Sequence, residues 1–141
     1  MNDRLSVSQK RLEQVTKRQW AERKGRLFEM VAAGFYIASG YRLVDRRFKR
    51  RVGEIDLVCQ RGNTLAFVEV KARRSADDAI AAVTAKNRRR FENATKVYLA
   101  ENDRRIGGER HQPDVRFDIV AFGKGFTVKW IKDAWREGER P

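Results

Sequence analysis

Residues 54–71 read EIDLVCQRGNTLAFVEVK, and this stretch decides the fold. Two apolar runs flank Gly62-Asn63, and three charges, Asp56, Glu69 and Lys71, sit inside them. Runs rich in β-branched and aromatic residues on either side of Gly-Asn predict a β-hairpin with a two-residue type II′ loop. Closing the hairpin there sets Asp56 opposite Glu69 and Glu54 opposite Lys71. Side chains alternate between faces along a strand, so Asp56, Glu69 and Lys71 share one face. Opposed Cβ atoms lie roughly 4.5–5.5 Å apart, and like charges at that spacing destabilise a hairpin unless something positive lies between them. A divalent cation is one candidate for that role. A solvent-exposed sheet face laced with salt bridges, worth only about 0–1 kcal/mol per pair, is the other.

Working outward, Ala21 to Ser39 has helical periodicity, with Leu27, Met30, Val31 and Phe35 at spacings of three and four. Gly40 is placed to end the helix. Residues 1–20 form a basic N-terminal extension, read as either a helix or a mobile, solvated arm ahead of a single domain over 21–141. Tyr41 to Asp45 reads as a strand and RRFKRRVG as a basic loop. Residues 75–83 read as a loop or a short helix. Thr84 caps a helix running to about Asn102. Residues 103–114 are a turn-rich connection that contains the single histidine, His111. Val115 to Phe122 and Phe126 to Ile131 read as strands, and Lys132 to Pro141 as a short terminal helix. This order of helices and strands predicts an α/β fold with a mixed central sheet flanked by helices.

Composition narrows the function. The 141 residues hold 32 Lys or Arg against 19 Asp or Glu, a net charge of +13. Such an excess favours a polyanionic partner, nucleic acid ahead of an anionic membrane. No apolar run approaches the ~18 residues of a spanning helix, and MNDRLSVSQKRLEQV has no signal-peptide core, so a cytoplasmic protein without membrane partners is expected. One cysteine, Cys59, excludes an intrachain disulfide and multi-cysteine zinc sites; it reads as a buried structural thiol. One histidine excludes a multi-His metal site, and the usual nucleotide-binding glycine loops are missing.

The basic residues border the acid pair in sequence. Arg46, Arg47, Lys49, Arg50 and Arg51 precede it, and Arg73 and Arg74 follow. Lys86, Arg88, Arg89 and Arg90 load the first turns of the helix capped by Thr84, against its dipole. They form either an anion-binding edge or a solvated basic face. Mg²⁺ commonly takes one or two carboxylates together with substrate phosphate and water. Asp56 and Glu69 could supply the carboxylates, Lys71 could orient a water or steady developing charge, and the arginines could hold a nucleic-acid backbone. The pattern fits phosphodiester hydrolysis.

These residues carry a family resemblance. GEIDLV followed by FVEVKAR, with Gly25-x-x-x-Glu29 upstream, Lys86, and Arg116-Phe117-Asp118-Ile119-Val120 downstream, resembles the YraN family over roughly Gly25 to Trp135. The resemblance implies the restriction-endonuclease-like, or PD-(D/E)XK, fold, similar to that of Holliday-junction resolvases. It implies a Mg²⁺ or Mn²⁺ site made by Asp56, Glu69, the Val70 carbonyl and Glu29, with Lys71 as the catalytic lysine. With the basic surface it leads to the expectation of an endonuclease acting on DNA ahead of RNA, with branched or damaged DNA among the candidate substrates. By analogy with junction-cutting enzymes, which need paired sites, it implies a homodimer. Ile55 stands where that fold usually has proline. The competing expectations are a nucleic-acid-binding protein that keeps the fold without cleavage, and a charge-driven anionic-surface module. Asp118 is expected to be structural, and Glu54 to be a partner for Lys71 or the basic loop.

Overall fold

The computed structural model describes residues 6–106 and 112–139. Helix α1 spans Val7–Ala38. Ser6 starts it with a reciprocal cap: its hydroxyl accepts from the Gln9 N–H, and the Gln9 side chain accepts from the Ser6 N–H. Residues 7–20, for which helix and arm were both open, are thus the first turns of the helix that continues into the core. Gly40, at φ +88°, ends it in the left-handed conformation expected of a terminating glycine.

Five strands follow: β1 (Arg42–Arg50), β2 (Gly53–Arg61), β3 (Thr64–Ala72), β4 (Asp114–Phe122) and β5 (Val128–Trp135). They form one sheet in the order β1-β2-β3-β4-β5, parallel between β3 and β4 and antiparallel elsewhere. Between β3 and β4 lie α2 (Ala76–Ala81), α3 (Ala85–Glu101, capped by Thr84) and the short α4 (Asp103–Ile106). His111 lies outside the described residues. The fold is α/β with a mixed sheet flanked by helices, as the sequence predicts.

Alternation along the central strands sorts two cores. Leu65, Phe67, Phe117 and Ile119 pack against α2 and α3 through Ala79, Phe91, Ala94 and Tyr98. Ala66, Val68, Val120 and Phe122 face α1 through Ala32 and Tyr36. Cys59 is buried on the α1 side, and burial pushes its thiol up to about 12.

Two sequence expectations are corrected. RRFKRR is not a loop: Arg46 to Arg50 continue β1, where Phe48 is buried and Arg46, Lys49 and Arg50 remain exposed. An outermost strand can carry this charge because only some of its side chains enter the core. The expected terminal helix is strand as far as Trp135, which pairs with Phe117. Ile119 pairs with Ile131, so β5 fits two extra residues at this point. Asp133 takes up the irregularity at φ +53°, and its N–H donates to Asp118 Oδ1 at 2.9 Å. This bulge breaks the period-two signal that would have marked the strand.

Asp118 is fully buried, yet its carboxylate is well supplied with donors. Arg116 meets both oxygens at 2.8 Å, and Tyr36 donates to Oδ2 at 2.7 Å. Trp130 in turn donates to the Tyr36 hydroxyl at 2.8 Å. Burial, then the Asp118 charge, pushes the Tyr36 phenol far up. The network ties α1, β4 and β5 together and serves structure, as the sequence reading expected.

Candidate metal and nucleic-acid site

The hairpin register follows from the Gly62-Asn63 turn. Leu57 pairs with Val68, and each step down to Arg61 with Thr64 keeps that register. Gly62 takes φ +57° while Asn63 does not enter the left-handed region, consistent with the expected loop. Beyond Leu57–Val68 the ladder stops. Continued pairing would have sent the Val70 N–H to the Ile55 carbonyl, because hydrogen-bonded pairs alternate along an antiparallel ladder. Asp56 Oδ2 accepts it instead, at 2.8 Å. The Val70 carbonyl points to the same side of β3 as its N–H, into the gap that opens between the two strands.

Arg47 lies across β1 from this point and explains the opening. Arg46 pairs with Leu57 and Phe48 with Ile55. Leu57 belongs to the α1-side core, while Ile55 and Phe48 belong to the α3-side core. Regular alternation would keep Ile55 and Leu57 on one face. Arg47 adopts φ +55° between them and switches the faces. Asp56 sits at the switch. It therefore turns into the gap, where the fields of Glu69, Glu29 and Lys71 all reach it.

Asp56, Glu69, Val70 and Lys71 line one cleft of about 290 Å³ together with Glu54, Asn87, Arg90 and Phe91. Burial, then the charge of Glu69, pushes the Asp56 carboxyl well above its ordinary range, against the opposing pull of the Val70 N–H. Burial also raises Glu69, and Lys71 offsets part of that rise. Lys71 Nζ lies 3.2 Å from Glu69 Oε1, and the two side chains keep 24% and 16% of their surface exposed, so the cleft is open to a ligand. Lys71 therefore pairs with Glu69 on its own strand. Of the two partners expected for Glu54, Lys71 is out of register because β2 has left β3 by then, and Glu54 instead falls opposite Lys49 in the basic stretch of β1.

This donor set fits a hard divalent cation. Two carboxylates whose ionised forms disfavour each other, a main-chain carbonyl and an open cleft offer oxygen ligands and a need for positive charge. Among the described residues no group of three or more His, Cys, Asp or Glu side chains converges at ligand spacing. Glu29, on α1, instead accepts from Arg47 Nε at 2.7 Å.

The basic residues separate into groups. Arg90 enters the cleft, with Lys86 and Arg89 exposed on the same helix. The Arg88 guanidinium lies 5.5 Å from the Trp135 ring, away from the acid pair. Arg50 is engaged by Glu101 at 2.6 Å, while Arg46, Lys49 and Arg51 are exposed. Arg73 and Arg74 are exposed just past the end of β3. Sequence reasoning missed Asn87. Its position one helical turn before the core residue Phe91 was the available signal, but only the packing shows that this side of α3 meets the hairpin.

A five-stranded mixed sheet with helices on both faces, and an acid pair and lysine where its central hairpin opens, places the chain in the restriction-endonuclease-like class of α/β folds. The chain belongs to the uncharacterised protein family UPF0102, the YraN family of the sequence resemblance, whose model matches residues 28–122. It is 46% identical over 115 residues to a UPF0102 protein of Sinorhizobium medicae, covering 82% of this chain and 90% of that one. It is 34% identical over 122 residues to a UPF0102 protein of Maricaulis maris, covering 86% and 92%. A UPF0102 protein of Caulobacter vibrioides is 38% identical over 115 residues, covering 82% and 88%. No helix among the described residues is long and apolar enough to cross a membrane.

Proposed function

We propose that this protein is a Mg²⁺- or Mn²⁺-dependent endonuclease that hydrolyses phosphodiester bonds in DNA. The observation that carries the reading is the Asp56–Glu69 pair, both carboxyls raised by burial and Asp56 further by the charge of Glu69, beside Lys71 in an open cleft bordered by arginines. Asp56, through the oxygen not given to Val70, Glu69 and the Val70 carbonyl would hold the cation, with Glu29 joining them on release from Arg47. The bound cation supplies charge neutralisation at the scissile phosphate and acidifies a water. Lys71 Nζ donates to the attacking water or to a non-bridging phosphate oxygen, stabilising charge that develops in the transition state. Arg90 steadies the adjoining phosphate from the opposite wall. Arg73, Arg74, Lys86 and Arg89 extend the contact along the backbone.

The test is a cleavage panel of linear, single-stranded, flap and four-way-junction DNA, with RNA counterparts, in Mg²⁺ and in Mn²⁺. Cleavage is expected to fall at least about a hundredfold in Lys71→Ala, the scale of losing one preorganised charge-stabilising donor, and to vanish in Asp56→Ala. Activity that survives both substitutions refutes the assignment. Metal-independent binding without cleavage of any substrate would favour a binding protein that retains the fold.

A further inference from the structure

α1 is 32 residues long, yet only its C-terminal part touches the sheet. Tyr36 bonds Asp118, and Phe28 packs on Phe122 with ring centroids 4.8 Å apart. The helix therefore runs antiparallel to β4, and everything before Phe28 passes beyond the ends of β3 and β4. That is the end of the sheet where Lys71, Arg73 and Arg74 lie. Val7 to Leu27 overhangs it by about 30 Å at ~1.5 Å per residue. Residues 6–19 and 21–24 are all exposed.

Between Lys10 and Arg26 the overhang carries seven Lys or Arg against two Glu. Their phase on the helix follows from the packed half. Eighteen residues make about five full turns at ~3.6 residues per turn. Lys10 thus shares the azimuth of Phe28, and Arg18 shares that of Tyr36. Lys17 and Arg11 fall beside them. The side of α1 that is core over the sheet continues past it as a basic underside. Arg23 instead falls on the opposite side, while Arg26 lies on the flank that forms a groove with Leu43, Arg46 and Arg47 of β1.

We infer that the underside of the projecting half of α1 is a nucleic-acid-backbone clamp, in which Lys10, Arg11, Lys17 and Arg18 hold phosphates of the duplex that leads into the Asp56–Glu69 cleft. The inference rests on the proposed function and adds where the substrate's flank lies. An overhang of about 30 Å spans roughly nine base pairs at ~3.4 Å per step along each strand. A duplex is favoured over an anionic membrane because this basic face is turned toward the end of the sheet where Lys71, Arg73 and Arg74 lie, so that a ligand held on it meets the cleft.

The test measures equilibrium binding of the full chain to a duplex of about twenty base pairs across a salt series, in chelator, so that the result does not depend on cleavage. Each phosphate contact contributes ~0.9 to the slope of log K against log salt. K17Q/R18Q should flatten the slope by about 1.8, whereas R23Q, which removes a charge from the outer side, should leave it nearly unchanged. Thermal melts and far-UV circular dichroism confirm that both variants fold. Equal losses in the two variants, or no loss in either, overturn the clamp while leaving the nuclease reading intact. Failure of the unaltered protein to bind duplex also overturns the clamp, while the nuclease reading stands or falls on the cleavage panel. Binding to vesicles of equal parts phosphatidylserine and phosphatidylcholine that depends on Lys17 and Arg18, with duplex binding that does not, overturns the clamp in favour of a lipid surface.

Discussion

Replacing Asp56 by Asn removes one charge from a site that disfavours it, while keeping a side-chain oxygen for the Val70 N–H. The folded protein holds the Asp56 proton more tightly than the unfolded chain does, because burial and Glu69 raise its carboxyl above the ordinary 3.8. Below the unfolded value both states are protonated, and Asp and Asn should be nearly alike. As pH rises, the unfolded chain ionises first, so wild-type stability falls until the folded value is passed. Each unit of the rise is worth about 1.4 kcal/mol, or roughly 5 °C in Tm for a domain of this size. Without metal, Asp56→Asn should therefore melt higher than wild type at neutral pH, with the gap closing as pH falls toward 3.8. With Mg²⁺ or Mn²⁺ the wild type should gain about 2.7 kcal/mol at a hundredfold excess over Kd, and the variant little. The assay is differential scanning fluorimetry across pH, with and without metal. A variant that melts lower than wild type at neutral pH without metal, or a difference that ignores pH, would refute the account of the acid pair.

Two further outcomes test the frame around the site. Tyr36→Phe leaves Asp118 short of one donor and Trp130 without its acceptor; urea unfolding should show a loss of about 1–3 kcal/mol. Gly53→Ala places a methyl 2.1 Å from the Arg90 carbonyl oxygen. Overpacking of this kind costs about 1–3 kcal/mol, and the displaced α3 should weaken DNA binding as well as stability.

What the sequence disclosed is local. A two-residue turn between apolar runs is enough to set a register, so the Leu57–Val68 pairing and the nearness of Asp56 to Glu69 could be counted from residue numbers. Thr84 likewise announced α3, because a side-chain cap acts within one turn. The misses are places where a distant contact overrides the local pattern. The second half of β1 hides among arginines because, past Asp45, Phe48 alone carries its apolar signal into the core. The end of β5 past Ile131 hides because Asp118, buried fifteen residues upstream, draws the Asp133 N–H into a bulge. Glu29 was supplied by resemblance alone, and no spacing rule could have shown that Arg47 would hold it.

Arg47 and Asp133 also govern what the sheet can join. Both adopt left-handed backbone in the two outermost strands, one with basic neighbours and the other at a bulge. A strand from another molecule needs a straight, evenly spaced row of free N–H and C=O groups to extend a sheet, and kinks and charges deny it that row. The sheet is therefore closed to a sixth strand at either margin, which guards a long, apolar central hairpin against edge-to-edge polymerisation.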